Sequence, residues 1–207
     1  MRKIIITVII MSVMISNVYS QGAERKIAFY ANSGISGPLG PQGFKDGWGA
    51  GVTFGFAAGY KTTSKLILGI YADFNSFNFR DEKLINDAGL QGYGIGIEGG
   101  KSRITSYGFN ARYYLDARKK EARPYLVFNI GGINLTGSDI YVSYAGNTFL
   151  LAEWVGNETA MAVALGAGLE VYLSPKISLF ADAKFSLAYT DEENTKYLPV
   201  RIGLSFY

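Results

Sequence analysis

Hydrophobic and polar residues alternate with a period of two along most of the chain after residue 25. In the clearest segment, Trp48 to Tyr60, the residues Trp, Val, Phe and Tyr fall on one face, and the other face carries only Gly, Thr and Ala. Successive side chains of a strand point to opposite faces, whereas a helix would mix these two sets. The pattern therefore predicts a strand with one apolar face and one face of small residues.

Seven further segments alternate in the same way, which brings the predicted number of strands to eight. They are Ile27–Ser33, Leu66–Asn75, Tyr107–Tyr113, Tyr125–Ile130, Met161–Val171, Ile177–Leu187 and Leu198–Phe206. The connections alternate in length: 61–64, 116–122 and 174–176 are short, 34–47, 80–102 and 136–159 are long, and 190–196 is intermediate. Transmembrane barrels have short periplasmic turns and longer outer loops. The sequence therefore predicts an all-β fold, an eight-stranded antiparallel up-and-down transmembrane β-barrel with both termini periplasmic.

The first residues have the features of a secretory signal peptide. Arg2 and Lys3 form a basic start, Ile4 to Ile15 is an apolar run, and Ser20 offers a small residue at a cleavage site. An alternative is a membrane anchor, but the run is shorter than the roughly 20 residues that a spanning helix needs. We expect residues 1–20 to be the signal peptide and residues 21–207 to form the barrel domain.

Composition removes several classes of function. The chain has no Cys and no His, so it lacks the ligands of thiolate metal sites and the commonest general base. Its net charge is +3, and it falls closer to neutral without Arg2 and Lys3. A balance of this kind gives no reason to expect nucleic acid as a partner.

Aromatic residues are predicted near the strand ends, where rings with a polar tip favour the level of the lipid headgroups. The predicted outer rim holds Trp48, Tyr107, Tyr189 and Tyr197, and the inner rim holds Tyr60, Tyr113, Tyr125, Tyr172 and Phe206.

Together with this architecture, the terminal strand Tyr197–Tyr207 resembles that of the small outer-membrane barrels of the OmpA/OmpX type, in the outer-membrane β-barrel domain family. Such barrels typically finish on an aromatic residue that the outer-membrane assembly machinery recognises, although here the outward aromatic, Phe206, is penultimate. The resemblance covers residues 25–207. It implies location in the outer membrane of a Gram-negative-type bacterium, in contact with the lipid bilayer and its outer-membrane lipids.

Charged residues on the predicted inner face balance in sign. An eight-stranded barrel is just wide enough for side chains to fill, and charges inside it persist only if paired or hydrated. We expect a structural ionic network that plugs the lumen, with a gated pore and a catalytic site as the alternatives. Its predicted members are Asp73, Arg112, Glu170, Asp182, Lys184 and Arg201.

Motifs with catalytic or cofactor chemistry carry little weight in this sequence. Residues 94–99 match a dinucleotide-binding glycine pattern, but the strand and helix that the pattern requires are not predicted around it. We expect these residues to extend the fourth strand beyond the membrane. Outer-membrane barrel enzymes resemble one another in using His, which is absent here. We predict no enzyme, no catalytic residue, no cofactor and no metal, and we interpret the acidic cluster 191–193 as a solvated loop tip.

The loop at 136–159 has its own pattern. Segments 140–144 and 148–151 flank Ala145-Gly146-Asn147, which predicts a hairpin that projects outside the membrane. Its edge could add a strand from an extracellular protein partner, with Tyr141, Phe149 and Trp154 as contact residues. A self-paired cap over the barrel mouth is the alternative interpretation.

We therefore expect an integral outer-membrane protein with a structural or surface-interaction role. A secreted lipocalin-like barrel that binds a small apolar ligand is an alternative, because that fold also has eight up-and-down strands. The two differ in which face is apolar, since the lipocalin needs its Phe and Leu side chains inside. A narrow channel or an assembly factor is a further alternative.

Overall fold

The computed structural model describes residues 26–87, 89–116, 122–153, 157–191 and 193–207. No helix in this part of the chain is long and apolar enough to cross a membrane. The two helices are α1 (Gln42–Gly47) and α2 (Asp81–Asp87). The strands are β1 (Ile27–Gly40), β2 (Gly51–Lys61), β3 (Leu66–Asn78), β4 (Gly96–Gly99), β5 (Lys101–Tyr114), β6 (Ala122–Gly137), β7 (Ile140–Tyr144), β8 (Asn147–Ala152), β9 (Glu158–Tyr172), β10 (Ile177–Tyr189) and β11 (Thr195–Phe206).

Eight of the strands close into an antiparallel barrel, which confirms the predicted fold. Their order around the barrel is β1-β11-β10-β9-β6-β5-β3-β2, so that β1 and β11 pair to close it. Strand β1 continues to Gly40, beyond the predicted end at Ser33. Its Gly- and Ser-rich second half shows little hydrophobic alternation, but it pairs with β11. We call the end with the short connections the turn end and the opposite end the loop end.

The register of the pairs determines the width and the tilt of the barrel. Following directly paired residues once around the barrel from Arg103 of β5 leads back to β5 at Tyr113, ten residues further along. With ordinary strand spacing, this stagger inclines the strands by about 40° to the barrel axis. The interior of such a barrel can be filled completely by side chains.

The two faces of the strands have the predicted orientation. Large apolar side chains point outward, as shown by Val52, which is 63% exposed, and Phe109, which is 71% exposed. The Gly- and charge-bearing face lines the interior, where Thr53 and Asp73 are buried. An apolar exterior suits acyl chains and contradicts the lipocalin-like alternative, which requires the reverse arrangement.

The aromatic girdle is smaller than predicted. Tyr189 points outward at the loop end, Tyr60, Tyr113 and Phe206 point outward at the turn end, and Tyr107 points outward from the middle of β5. Tyr125, Tyr172 and Tyr197 do not belong to it, because the period of two places them on the inner face. Trp48 does not belong to it because it precedes β2 and packs against the buried cluster around Phe77. Tyr125 and Tyr197 are buried in the lumen, and Trp48 and Tyr172 are half-buried.

Pro199 interrupts the ladder between two barrel strands. Pairing between β10 and β11 stops after Ala183–Val200 and resumes in the same register at Ser186–Tyr197. Proline has no backbone N–H to donate to the ladder. On its other side, Pro199 lies opposite Ser36 of β1, so the barrel still closes at this level.

The long loops carry a second, smaller sheet of order β4-β7-β8. The predicted hairpin is confirmed: β7 and β8 pair around a turn at Ala145 and Gly146, both with positive φ. The expectation for residues 94–99 is wrong, because β4 pairs with β7 and does not extend a barrel strand. Gly99 and Gly100 have φ of 90° and 62°, a left-handed conformation that breaks the chain direction between β4 and β5.

Candidate functional site: the barrel interior

A bidentate ion pair occupies the middle of the lumen. Asp182 of β10 and Arg201 of β11 are directly paired residues, and their side chains both point inward. Arg201 Nε lies 2.8 Å from Asp182 Oδ1, and Arg201 Nη2 lies 2.8 Å from Asp182 Oδ2. Two parallel contacts of this kind match the planar geometry of both groups and fix their mutual orientation.

Asp73 extends this pair across the barrel. Four steps separate β3 from β10 in either direction around the barrel, so Asp73 projects from the opposite wall. Lys184 Nζ lies 2.5 Å from Asp73 Oδ2, and Arg201 Nη1 lies 2.9 Å from Asp73 Oδ1. Each of the two carboxylates is therefore held by cationic groups, and the four charges cancel.

Neutral polar groups complete this central cluster. Tyr125 donates its hydroxyl hydrogen to Asp182 Oδ2 at 3.1 Å. With its amide oxygen turned inward, Asn129 accepts a hydrogen bond from Lys184 Nζ at 3.1 Å. Gly55, directly paired with Asp73, leaves the space that the Asp73 carboxylate occupies. A buried charge is tolerated when such hydrogen bonds accompany its ion pair.

A second charged cluster lies nearer the turn end. Glu170, whose side chain is fully buried, accepts hydrogen bonds from the hydroxyls of Tyr114 and Tyr207. Arg112 Nη1 is 3.8 Å from Glu170 Oε2. The Arg112 guanidinium lies 4.0 Å from the centre of the Tyr30 ring, and it also faces the rings of Tyr125 and Phe180. Ring faces of this kind attract a cation most strongly where water is excluded.

The prediction omitted Arg123, which is buried at the turn end. Its Nη1 donates to the Tyr172 hydroxyl at 2.6 Å, and its Nη2 donates to the Ser64 carbonyl oxygen at 3.2 Å. The guanidinium also lies 3.9 Å from the centre of the Tyr114 ring. The signal was present in the sequence, because counting back by two from the inward Tyr125 reaches Arg123, but the predicted strand began too late.

Apolar side chains close the lumen at the loop end. Phe77, Ile104 and Ile133 are fully buried there, and Phe44 of α1 packs edge-on against Phe77 with ring centres 5.0 Å apart. Trp48 packs beside them and donates its indole hydrogen to the Gly100 carbonyl oxygen at 3.1 Å. Between this layer and the central cluster lies a cavity of about 10 Å³, lined partly by Lys184 and Tyr197. That is about the smallest cavity that can hold one water molecule.

All six residues that the sequence assigned to the lumen are buried inside the barrel, and they form two clusters. Asp73, Asp182, Lys184 and Arg201 form the central cluster. Glu170 and Arg112 belong to the cluster at the turn end. Among the described residues, no group of three or more acidic side chains could hold a metal ion.

The predicted partner-contact residues lie outside the barrel. Tyr141 is on β7 and Phe149 on β8, and both are exposed, whereas Trp154 lies outside the described residues. The Tyr141 hydroxyl donates to Asp139 Oδ2 at 3.2 Å. The negative charge of Asp139 and this hydrogen bond raise the pKa of Tyr141 above its ordinary value.

Known proteins share this sequence family and this barrel architecture. The sequence matches the family model of the outer membrane protein beta-barrel domain over residues 7–206. Among curated proteins, none matches. The crystal structure of Neisserial surface protein A is similar with a TM-score of 0.55 and 14% identity, over 87% of this chain and 96% of that one. A major outer membrane protein from Thermus thermophilus is similar with a TM-score of 0.52 and 9% identity, over 88% and 99%. At these identities, the likeness concerns the fold alone.

Proposed function

Because the chain belongs to the outer membrane protein β-barrel domain family and lies in the outer membrane, we propose that it is a closed barrel with a structural or surface-interaction role. In this proposal, the lumen is plugged by the ionic network and conducts no ions. The role involves no catalytic chemistry and no cofactor.

The filling of the lumen carries this proposal. The central cluster connects opposite walls through Arg201, Asp73 and Lys184, with contacts of 2.5 to 2.9 Å. Aromatic residues cover it towards the turn end, and Phe77, Ile104 and Ile133 cover it towards the loop end. A conducting path would have to displace at least one of these layers.

Conductance in planar bilayers tests the plug. We expect the unmodified protein to be silent and Arg201→Gln to leak, because this change removes the side chain that joins Asp182 to Asp73. Arg103→Gln, at an exposed outward position, is the matched control and should stay silent. Steady conductance of the unmodified protein would favour the narrow channel instead.

The proposal also fixes an orientation, with the long loops outside the cell and both termini in the periplasm. The chain has no Cys, so single substitutions can be labelled without background. Asn147→Cys at the loop end should react with a membrane-impermeant maleimide on intact cells, and Ser64→Cys at the turn end should react only after lysis. The opposite labelling pattern would mean that the barrel has the inverse orientation in the membrane.

In the same proposal, residues 1–20 are the removed signal peptide, and the assembly machinery recognises the terminal strand with Phe206.

Display of the long loops gives the protein its surface-interaction role. The hairpin of β7 and β8 presents Tyr141 and Phe149 to solvent. We infer that an extracellular protein partner binds through these loops, and that the lipid bilayer and its outer-membrane lipids surround the apolar wall. If unmodified cells and cells with the hairpin deleted behave identically in surface binding, the role is structural.

A further inference from the structure

Strand β8 is an open edge of the small sheet. It pairs with β7 on one side, and no described strand pairs with its other side. All of its residues, Asn147–Ala152, are exposed, including Phe149 at 59% and Leu150 at 54%. An unpaired strand edge offers its backbone donors and acceptors to any extended segment.

The edge lacks the features by which proteins normally protect such strands. From Asn147 to Ala152 there is no charged residue and no proline. On one face, Phe149 lies beside Val142, which lies beside Ile97. On the other face, Leu150 lies beside Tyr141, which lies beside Glu98. An added strand would therefore meet apolar neighbours on both of its faces.

The charged residues of the small sheet and of the loop that carries β7 and β8 have a single sign, although Glu98 lies on β4, at the opposite edge of the sheet. Residues 96–99 and 138–153 carry Glu98, Asp139 and Glu153 and no Lys or Arg. Asp139 accepts the Tyr141 hydroxyl, whereas Glu98 and Glu153 are exposed. Glu153 follows the end of β8 directly, so it would lie beside the flank of an added strand. Basic residues at that flank would complement it.

We propose that β8 is a docking site for an extended segment of another protein, which adds to the sheet as a fourth strand. The segment is apolar at its centre and carries Lys or Arg at the flank next to Glu153. Main-chain hydrogen bonds supply affinity in this mode of recognition, and side chains supply specificity. The inference rests on the proposed display of the loops outside the cell.

The test uses the full-length mature protein in detergent micelles and a labelled peptide of alternating Val and Thr with a Lys pair at one end. Fluorescence anisotropy measures its binding. A matched peptide with Glu in place of Lys should bind more weakly, and a peptide with proline at its centre should not bind. Equal binding of the Lys and Glu peptides would overturn the charge assignment.

Two proline variants test the edge. The backbone N–H groups of adjacent strand residues point to opposite sides, so one of Phe149→Pro and Leu150→Pro removes a donor from the open side. That variant should weaken binding about tenfold. Glu153→Gln should weaken it about two- to fivefold, and Asp191→Asn, an exposed acid on another loop, should leave it unchanged. Binding that survives both proline changes would overturn the site.

Analytical ultracentrifugation tests whether a second copy of this protein, and not another protein, binds β8. If the protein dimerises in micelles and either proline change abolishes the dimer, the occupant is a second copy and the proposal is wrong. Conductance and the labelling of Asn147→Cys, at the first residue of β8, do not require a segment bound to that strand. A silent, correctly oriented barrel that binds no peptide would therefore overturn this inference and leave the proposed function intact.

Discussion

Arg201 donates two hydrogen bonds to the carboxylate of Asp182, the directly paired residue on the adjacent strand, with N···O distances of 2.8 Å each. The same guanidinium reaches Asp73 on the opposite wall at 2.9 Å, so one side chain joins two carboxylates across the barrel. Asp182 and Arg201 consequently differ in how many oppositely charged partners each one has. Among the ion pairs of the described residues, Asp182 is held by Arg201 alone, whereas Arg201 keeps Asp73 when Asp182 is removed.

Substitutions at Asp182 and Arg201 should therefore differ in their effect on the free energy of unfolding. Arg201→Gln leaves a buried carboxylate without its cation, and we expect it to lower the free energy of unfolding by about 3–5 kcal/mol. Asp182→Asn should cost less. Urea unfolding from lipid vesicles measures both values.

The double variant Asp182→Asn, Arg201→Gln distinguishes pairing from simple loss of side chains. It should recover part of the loss caused by Arg201→Gln, because the carboxylate left without its cation is also removed. Strictly additive losses would show that the two side chains do not interact energetically.

The sequence predicted the strands and the inward face of this cluster, but it could not predict all of the contacts within it. A period of two places Asp73, Lys184 and Arg201 inside without any knowledge of their partners. The contacts from Asp73 join residues 111 and 128 positions apart, and they depend on the number of strands and on the stagger of the register. The number of strands follows from the eight alternating segments, but the stagger of the register is not encoded locally.

The failures at the ends of the barrel have a different cause. The rim prediction for Tyr125 and Tyr197 rests on their position near strand ends, although the alternation of the two faces already places both side chains inside. For β4, the loop has no repeated alternation, and its pairing with β7 depends on the left-handed glycines Gly99 and Gly100. Local sequence does not select a distant strand as partner in such a loop.

The outer wall should tolerate charge only near its ends. Leu165 points outward at the middle of β9, and we expect Leu165→Arg to lower the free energy of unfolding by about 2–4 kcal/mol. Leu204→Arg should cost less, since Leu204 is two residues from the girdle residue Phe206. Ser138→Arg, in a loop, should have almost no effect. Equal costs at the three positions, measured in vesicles, would contradict the assigned membrane span.

Tyr207 should stabilise the turn end through Glu170. Its hydroxyl donates to Glu170 Oε1, and the Tyr114 hydroxyl donates to Oε2. Tyr207→Phe removes one hydrogen bond to a buried carboxylate, and we expect a loss of about 1.5–3 kcal/mol in urea unfolding. Tyr189→Phe, at an exposed girdle position, is the matched control. A loss as small as that of the control would show that Tyr207 does not support Glu170.

The hairpin should respond to alkaline pH through Tyr141. Because Asp139 raises the pKa of Tyr141, the neutral hydroxyl favours the folded hairpin, and this contribution is lost as the pH rises through the folded-state pKa. Asp139→Asn should shift the Tyr141 titration to lower pH, as measured by ultraviolet absorbance with Tyr141→Phe as the subtraction control. An unchanged titration would show that the hydrogen bond is absent in solution.

Gly55 should be required by the ion pairs although it takes no part in them. A Cβ atom at this position would overlap Asp73 Oδ1 and would lie 3.0 Å from the Ala72 carbonyl oxygen. Asp73 cannot move away without lengthening its contacts to Lys184 and Arg201. We therefore expect Gly55→Ala to lower the free energy of unfolding by about 1–3 kcal/mol and to increase ion leakage in planar bilayers.

The matched control for this prediction is Gly37→Ala in β1. A Cβ at Gly37 meets no atom within 4 Å, so the same chemical change adds a methyl group without displacing a neighbour. It should not destabilise the barrel and should stabilise it by up to about 1 kcal/mol, since only the intrinsic difference between Gly and Ala remains. If both substitutions cost the same, crowding of Asp73 does not explain the loss at Gly55. If Gly55→Ala destabilises the barrel without leakage, the position of Asp73 matters for folding but the cluster does not seal the lumen.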